Sequence, residues 1–333
     1  MKHSAIKLLS LVIALMMAFS LLSVSAGAAT TESLGKVRVI VKNETFSTAD
    51  SAAWAGVLLE DEYTLQSDDT MMSVVEHTLD NNNITYAFNN YNYLATVNGL
   101  SEYACNSTGG WMMTLNDWFT SEGSDAYTVA NGRLSGGDVI TVLYSCSWGA
   151  DVGSLWGDTN TQLKNISLDG ASFSWAEDYS PSKTDYTLVV DPENDANMIG
   201  LIPEAFNKNY QVRTYLNQYT PDQPGTEIKT LSQKLQVKEG DVIYIGVGNS
   251  NWETMNQKAE ETVYKLTVAL TSNYGDVDAN GKIDINDVTL LQKYLAKAVE
   301  LRPDQLKSAD YNKDGILTVA DATAIQKRIA RFA

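Results

Sequence analysis

The sequence predicts three folded units in series: an α+β unit, an all-β sandwich, and a small all-α module made of a duplicated loop and helix. Three observations predict it. Residues 36–148 alternate like strands with one helix-period interruption. Residues 163–271 alternate like strands throughout. Residues 274–333 carry two acidic loops, each running into an apolar stripe of helical period, offset by 34 residues and aligned without a gap.

Before the first unit, "MKHSAIKLLSLVIALMMAFSLLSVSAGAAT" has a basic start (Lys2, Lys7), an apolar run from Leu8 to Leu22 and small residues at Ala26–Ala29. This pattern predicts a secretory signal peptide over 1–28 rather than a membrane span, because the apolar run is short and its exit is small-residue. No other segment is apolar enough to span a bilayer, and no sortase-type tail or surface-layer repeat is visible. The formal charge is −17, and removing Lys2 and Lys7 with the leader takes it to −19. Such a chain is not expected to bind nucleic acid or anionic membrane electrostatically. Two cysteines remain, Cys105 and Cys146, and an even pair in an exported chain favours a disulfide. A zinc site is disfavoured, since beyond the leader the sole histidine is His77, placed on the polar side of the expected helix.

In the first unit, "VRVIV" (37–41) and "GVLLEDEYTLQ" (56–66) read as strands. "SDDTMMSVVEHTLDNNN" reads as a helix capped by Asp68 or Asp69, with Met72, Val75 and Leu79 on one face. Strands follow at Tyr86–Phe88, Tyr91–Val97, Trp111–Leu115 and Val139–Tyr144, giving a β-grasp-like order. Trp111, Met113 and Leu115 share a strand face and are expected in the core. Trp118 and Phe119 follow the turn pair Asn116-Asp117 and precede "TSEG", which suggests a loop tip presenting aromatic faces to a ligand. Sugar rings stack on such faces; the alternative is a tip folded back onto the domain. Tyr91, Tyr93, Trp148 and Trp156 are further candidates for the same platform. "GGWMMTLNDWF" and "LSGGDVITVLYS" resemble the domain related to the C-terminal β domain of transcobalamin and intrinsic factor. The resemblance implies an adaptable ligand-binding module; cobalamin itself does not carry over.

"GADVGSLWGDTNTQ" (149–162) is rich in Gly, Asp and Thr and reads as a linker. In the second unit, "TDYTLVV" places Tyr186, Leu188 and Val190 on one face, and "ETVYKLTVAL" places Tyr264, Leu266 and Val268 inward. With the opening "LKNISLDG", these segments resemble the bacterial cadherin-like β-sandwich, which implies a spacer or adhesion module.

The C-terminal loops are the most informative stretch. In "GDVDANGKIDIND", Asp276, Asp278, Asn280, Lys282, Asp284 and Asp287 fall at loop positions 1, 3, 5, 7, 9 and 12, with Gly281 at 6. That is the ligand order of an EF-hand calcium loop, with position 7 contributing its backbone carbonyl. Asp310, Asn312, Asp314, Ile316, Thr318 and Asp321 repeat it, with Gly315 at 6. Two calcium ions are therefore expected. Thr318 departs from an acidic ligand, leaving three carboxylates in the second loop against four in the first. Val288, Leu291 and Leu295 form one helix stripe and Ala322, Ile325 and Ile329 the other, so the two helices are expected to pack on each other. Pro303 suits the first turn of a short connecting helix, "PDQLKSA".

Loops ending in Asp, the absence of a leading helix and the duplication resemble a type I dockerin. The resemblance implies docking to a cohesin domain of a scaffoldin in a cellulosome-like complex, outside the cell or at its surface. It places cohesin contacts at Ile285, Asn286, Gln292 and Lys293, and again at Val319, Ala320, Gln326 and Lys327. Ser-Thr, frequent at the first two of these positions in clostridial members, is absent here. No nucleophile motif, metalloprotease motif or glycine-rich phosphate loop occurs. The reading is a secreted, non-catalytic, carbohydrate-presenting component; the alternatives are an unfamiliar glycoside hydrolase and a small-molecule binding protein.

Overall fold

The structure, a computed structural model, describes residues 33–169, 173–175, 179–190, 198–270, 274–312 and 314–332. The expected leader lies outside the described residues. Among them the chain is mostly β, with one helix in the first unit and three at the C-terminus.

The first unit is built on a five-stranded sheet, ordered β2-β1-β8-β6-β7. Its strands are β1 (Lys36–Asn43), β2 (Gly56–Thr64), β6 (Gly110–Leu115), β7 (Trp118–Phe119) and β8 (Val139–Ser145). Helix α1 (Met71–Asn81) interrupts it, and β3 (Tyr86–Phe88), β4 (Leu94–Val97) and β5 (Leu100–Ser101) form a separate three-stranded sheet. β1 pairs antiparallel with β2 and parallel with β8. Its alternation is literal: Val37, Val39 and Val41 are buried and their neighbours are not. They meet Met71, Val74, Val75 and Leu79 of α1 and Trp111, Ile140 and Val142 of the sheet in one core. Strand β8 is buried at every position, as a central strand covered on both faces must be.

Three expectations for this unit are corrected. Helix α1 is capped by Thr70, not by Asp68 or Asp69. Thr70 Oγ1 accepts from Ser73 N at 3.0 Å and Ser73 Oγ accepts from Thr70 N at 2.9 Å, a reciprocal capping box. Asp69 is engaged elsewhere, accepting from Gln66 N at 2.7 Å. The strand expected from Tyr91 begins at Leu94, because Asn89 Oδ1 accepts from Tyr91 N (3.0 Å) and Tyr93 N (3.3 Å) and holds a turn there.

The third correction concerns Trp118 and Phe119, which are not at an exposed tip. Asn116 and Asp117 both have left-handed backbone (φ 49° and 66°) and form a two-residue hairpin turn. The turn sends the chain back as β7, pairing Leu115 with Trp118 and Thr114 with Phe119. A returning strand puts its side chains back on the sheet, so Trp118 is 6% and Phe119 2% exposed.

The second unit has a six-stranded sheet ordered β10-β11-β17-β16-β13-β14 and a three-stranded sheet ordered β15-β12-β9. The larger contains β10 (Phe173–Trp175), β11 (Asp185–Val190), β13 (Val212–Leu216), β14 (Glu227–Ile228), β16 (Val242–Val247) and β17 (Thr262–Leu270). The smaller contains β9 (Leu163–Asp169), β12 (Met198–Ala205) and β15 (Leu235–Gln236). The expected inward sets, Tyr186, Leu188, Val190 and Tyr264, Leu266, Val268, are buried together with Leu163, Ile166, Ile199 and Leu201.

The segment between the first two units is tied down. Asn207 Nδ2 donates to the carbonyls of Leu155 and Asp158, both at 2.8 Å, and Asn256 Nδ2 reaches the same two oxygens at 2.9 and 2.8 Å. The units themselves meet through polar groups. Phe119 N donates to Lys208 O at 2.8 Å, Lys208 Nζ pairs with Asp117 at 2.7 Å, and Lys229 Nζ pairs with Asp138 at 2.5 Å. Burial pushes the Asp117 carboxyl above its ordinary range, against the lowering effect of Lys208.

The C-terminal unit contains α2 (Ile285–Leu295), α3 (Pro303–Ala309) and α4 (Val319–Phe332). Pro303 opens α3 at its first turn. Val288 and Leu291 meet Ala322 and Ile325 in a small core, flanked by Leu295 and Ile329.

Candidate functional site

The two C-terminal loops repeat bond for bond. Asp276 accepts from Asn280 N at 3.0 Å and from Gly281 N at 2.9 Å; Asp310 accepts from Asp314 N at 3.1 Å and from Gly315 N at 2.9 Å. Asp287 accepts from Asp278 N at 3.0 Å and Asp284 N at 2.8 Å; Asp321 accepts from Asn312 N at 3.2 Å and Thr318 N at 2.8 Å. The first and last carboxylates of each loop are thus pinned by backbone amides, and Gly281 and Gly315 (φ 83° and 79°) supply the turn between them.

In the first loop, carboxylate oxygens of Asp276, Asp278 and Asp287 lie within 4.8 Å of one another. Asp287 is fully buried and Asp276 nearly so. Burial pushes Asp287 above the ordinary carboxylate range, and the charge of Asp278 adds to it, against backbone hydrogen bonds that lower it. An all-oxygen donor set with converging carboxylates fits a hard cation such as calcium.

Thr318 has a structural reason. Asp284 caps α2, accepting from Asn286 N at 2.7 Å, and Thr318 Oγ1 accepts from Ala320 N at 3.1 Å at the start of α4. Position 9 serves as helix N-cap in both copies, and Thr and Asp both do that. The positions of the expected cohesin contacts, Ile285, Asn286, Gln292 and Lys293 on α2 and Val319, Ala320, Gln326 and Lys327 on α4, are all exposed.

A second candidate is an open cleft of 660 Å³, lined mostly by the first unit together with Trp156 of the connecting segment and Met255 of the second unit. Its rim carries Tyr91, Tyr103, Trp148 and Trp156, and its wall includes Tyr93 and Phe119. Tyr93 is fixed by donating to Trp111 O at 2.6 Å. Trp118 faces away from this cleft and meets Tyr127 edge-on at 5.9 Å in the core. Of the six aromatics singled out from the sequence, five therefore border one concavity and Trp118 does not. Tyr103 was not among them; its signal was its position two residues before Cys105. Cys105 and Cys146 form a disulfide with Cα atoms 6.0 Å apart. His77 sits at the surface, its Nδ1 3.1 Å from the Tyr63 hydroxyl.

No curated protein matches the chain. Among solved structures it is similar to haptocorrin in complex with Cbi (15% identity, 34% of this chain and 26% of that one, TM-score 0.25). It is also similar to Drosophila N-cadherin EC1-4 (11% identity, 70% of this chain and 49% of that one, TM-score 0.17). The chain thus spans about a quarter of the first and half of the second, and at these scores neither carries an argument. Residues 68–144 match a domain of unknown function, DUF4430, and no catalytic domain is among the families matched. Residues 274–330, the stretch that holds both acidic loops and their helices, match the dockerin type I domain; dockerin domains bind calcium, and a dockerin implies a cohesin partner.

Proposed function

We propose that this chain is a secreted, non-catalytic component of a cellulosome-like complex that docks to a scaffoldin cohesin and presents a carbohydrate through its first unit. The observation that carries the docking half is the repetition of the two loops, down to each amide that holds Asp276, Asp287, Asp310 and Asp321. Each loop takes one calcium ion, held by its residues at positions 1, 3, 5, 9 and 12 and by the carbonyl of Lys282 or Ile316. The exposed sets on α2 and α4 form two equivalent cohesin contacts, and the duplication supports docking in either of two orientations. Export by the expected signal peptide puts the protein where a cohesin is met.

The carbohydrate half rests on the aromatic rim of the cleft, with Phe119 on its wall and Trp118 left to the core. Among the described residues lining the cleft, the pair of carboxylates open to a hydrolase is Glu102 and Glu122. Glu122 is committed to Arg133 at 3.0 Å and Glu102 accepts from Asn89 at 3.3 Å, which supports a binding role over acid catalysis.

The test is cohesin capture by the full chain across a panel of cohesins, with calcium and with chelator. Calcium-dependent capture by at least one is expected; equal capture in chelator would sink the calcium reading. Altering Gln292 and Lys293 alone should cost little affinity, and altering Gln326 and Lys327 as well should cost much. Loss of binding from one pair alone would show a single orientation.

A further inference from the structure

Four large aromatic side chains stand out into solvent around the cleft, each from a different stretch of chain. Tyr91 is 91% exposed, Trp148 69%, and Tyr103 and Trp156 59% each. Single exposed aromatics need no explanation, but four bordering one concavity do.

Two of the four are held where bulky residues are rarely found. Tyr103 and Trp148 have left-handed backbone, with φ of 63° and 50°. Such conformations are unfavourable for bulky residues and persist only where the surroundings impose them. The surroundings here are the disulfide and its hydrogen bonds. Tyr103 lies two residues before Cys105, and Trp148 two residues after Cys146. Tyr103 N donates to Gly109 O at 2.9 Å, and Trp148 N donates to Thr108 O at 3.4 Å. Thr108 Oγ1 and Asn106 Nδ2 both donate to Cys146 O, at 2.6 and 2.9 Å. A cross-link and four hydrogen bonds thus enforce a conformation that local preference opposes. What they preserve is presentation of two rings to solvent, which adds nothing to the core.

Charge then selects the ligand. Among the described residues lining the cleft, the charged ones are Glu102 and Glu122, and none is lysine, arginine or histidine. An anionic ligand would meet repulsion, because the cation beside the cleft, Arg133, is already held between Glu122 and Glu253. The remaining polar lining is uncharged, with Asn92 able to donate and accept and Thr108 Oγ1, its hydrogen given to Cys146 O, able only to accept. Ring faces beside neutral amides and hydroxyls suit a molecule with apolar faces and hydroxyl edges. The 660 Å³ of the cleft lies within the span of about 300–1,000 Å³ usual for such sites.

We infer that this cleft, organised by the Cys105–Cys146 disulfide, is the carbohydrate site, that its ligand is an uncharged glycan, and that Tyr103 and Trp148 are its principal contacts. The inference rests on the carbohydrate reading above and adds the principal contacts, the charge class and the role of the cross-link.

The test uses the full chain with calcium, titrated with cellohexaose, mannohexaose, xylohexaose and oligogalacturonate. At least one neutral hexaose should bind and oligogalacturonate should not. Trp148→Ala and Tyr103→Ala should each weaken that binding by about tenfold or more, with the thermal midpoint little changed. Trp148→Phe, which keeps a ring, should retain most of the affinity. Reducing the disulfide should weaken binding even at temperatures where the domain stays folded. Unaltered binding by a Trp148→Ala/Trp156→Ala double variant would overturn the cleft while leaving the carbohydrate reading intact. A preference for oligogalacturonate would overturn the charge class. Failure of the unaltered chain to bind any of the four would overturn both readings together.

Discussion

The first and last units solve the same problem by opposite means. Residues 36–148 enclose a broad core from β1, β8 and α1, and add one covalent cross-link near the cleft. Residues 274–332 have a core of a few side chains between α2 and α4, while seven aspartates crowd their two loops. A core that small is poorly placed to hold a fold against such repulsion, so the C-terminal unit should depend on a bound cation far more than the first does. The difference teaches where each unit is vulnerable: one to cavities and reduction, the other to chelation.

The largest effect should come from chelation. Removing calcium should abolish most of the helical circular dichroism contributed by α2–α4 and all cohesin capture, while the near-ultraviolet signal of Trp111 and Trp118 persists. A chelated chain that keeps its C-terminal helices would break the comparison. Asp276→Ala and Asp310→Ala should each damage its own loop first, which calcium titration followed by residue-resolved exchange would show.

Core truncation comes next. Trp111 and Trp118 are both buried, so Trp111→Ala and Trp118→Ala should each cost about 3–5 kcal/mol in denaturant unfolding of the first unit. Calcium affinity should not change. A Trp118→Ala variant as stable as the parent would restore the exposed tip that the hairpin at Asn116-Asp117 excludes.

The cross-link should matter less. Closing the 41-residue separation of Cys105 and Cys146 is worth up to about 4 kcal/mol in the chain-entropy model. Cys105→Ser/Cys146→Ser should therefore lower the melting temperature of the first unit and leave the C-terminal unit unmoved. A free-thiol assay on the exported, unfolded chain should read near zero.

The smallest effect is at the seam between the first two units. Burial raises the Glu253 carboxyl, but hydrogen bonds from Arg133 and Tyr127 outweigh it and hold the group below its ordinary range. A depressed carboxylate stabilises fully above its unfolded value and loses that contribution as pH falls through its folded value. The thermal-midpoint difference between the parent and Glu253→Gln should thus be constant near neutrality and shrink in acid. A difference that grows in acid would reverse the sign and remove the Arg133–Glu253 pair from the account.

Legibility differs between the regions for a physical reason. The loop ligands Asp276 to Asp287 lie within twelve consecutive positions, so spacing alone places them around one point. The stripes Val288–Leu291–Leu295 and Ala322–Ile325–Ile329 are set by helical period, and the buried faces of β1, β11 and β17 by strand alternation. In these places the amino-acid sequence by itself determined which side chains converge. The cleft is another matter. Tyr91, Tyr103, Trp148 and Trp156 come from separate stretches with no shared period, and only the sheet, the disulfide and the ordered connection held by Asn207 and Asn256 bring them to one rim. Trp118 shows the same limit from the other side. The pair Asn116-Asp117 announces a turn, but whether the chain returns along the sheet depends on β6 being there to receive it and on Lys208 of the next unit accepting the amide of Phe119. Local spacing fixes local geometry; burial of a given ring is decided by what the rest of the chain places beside it.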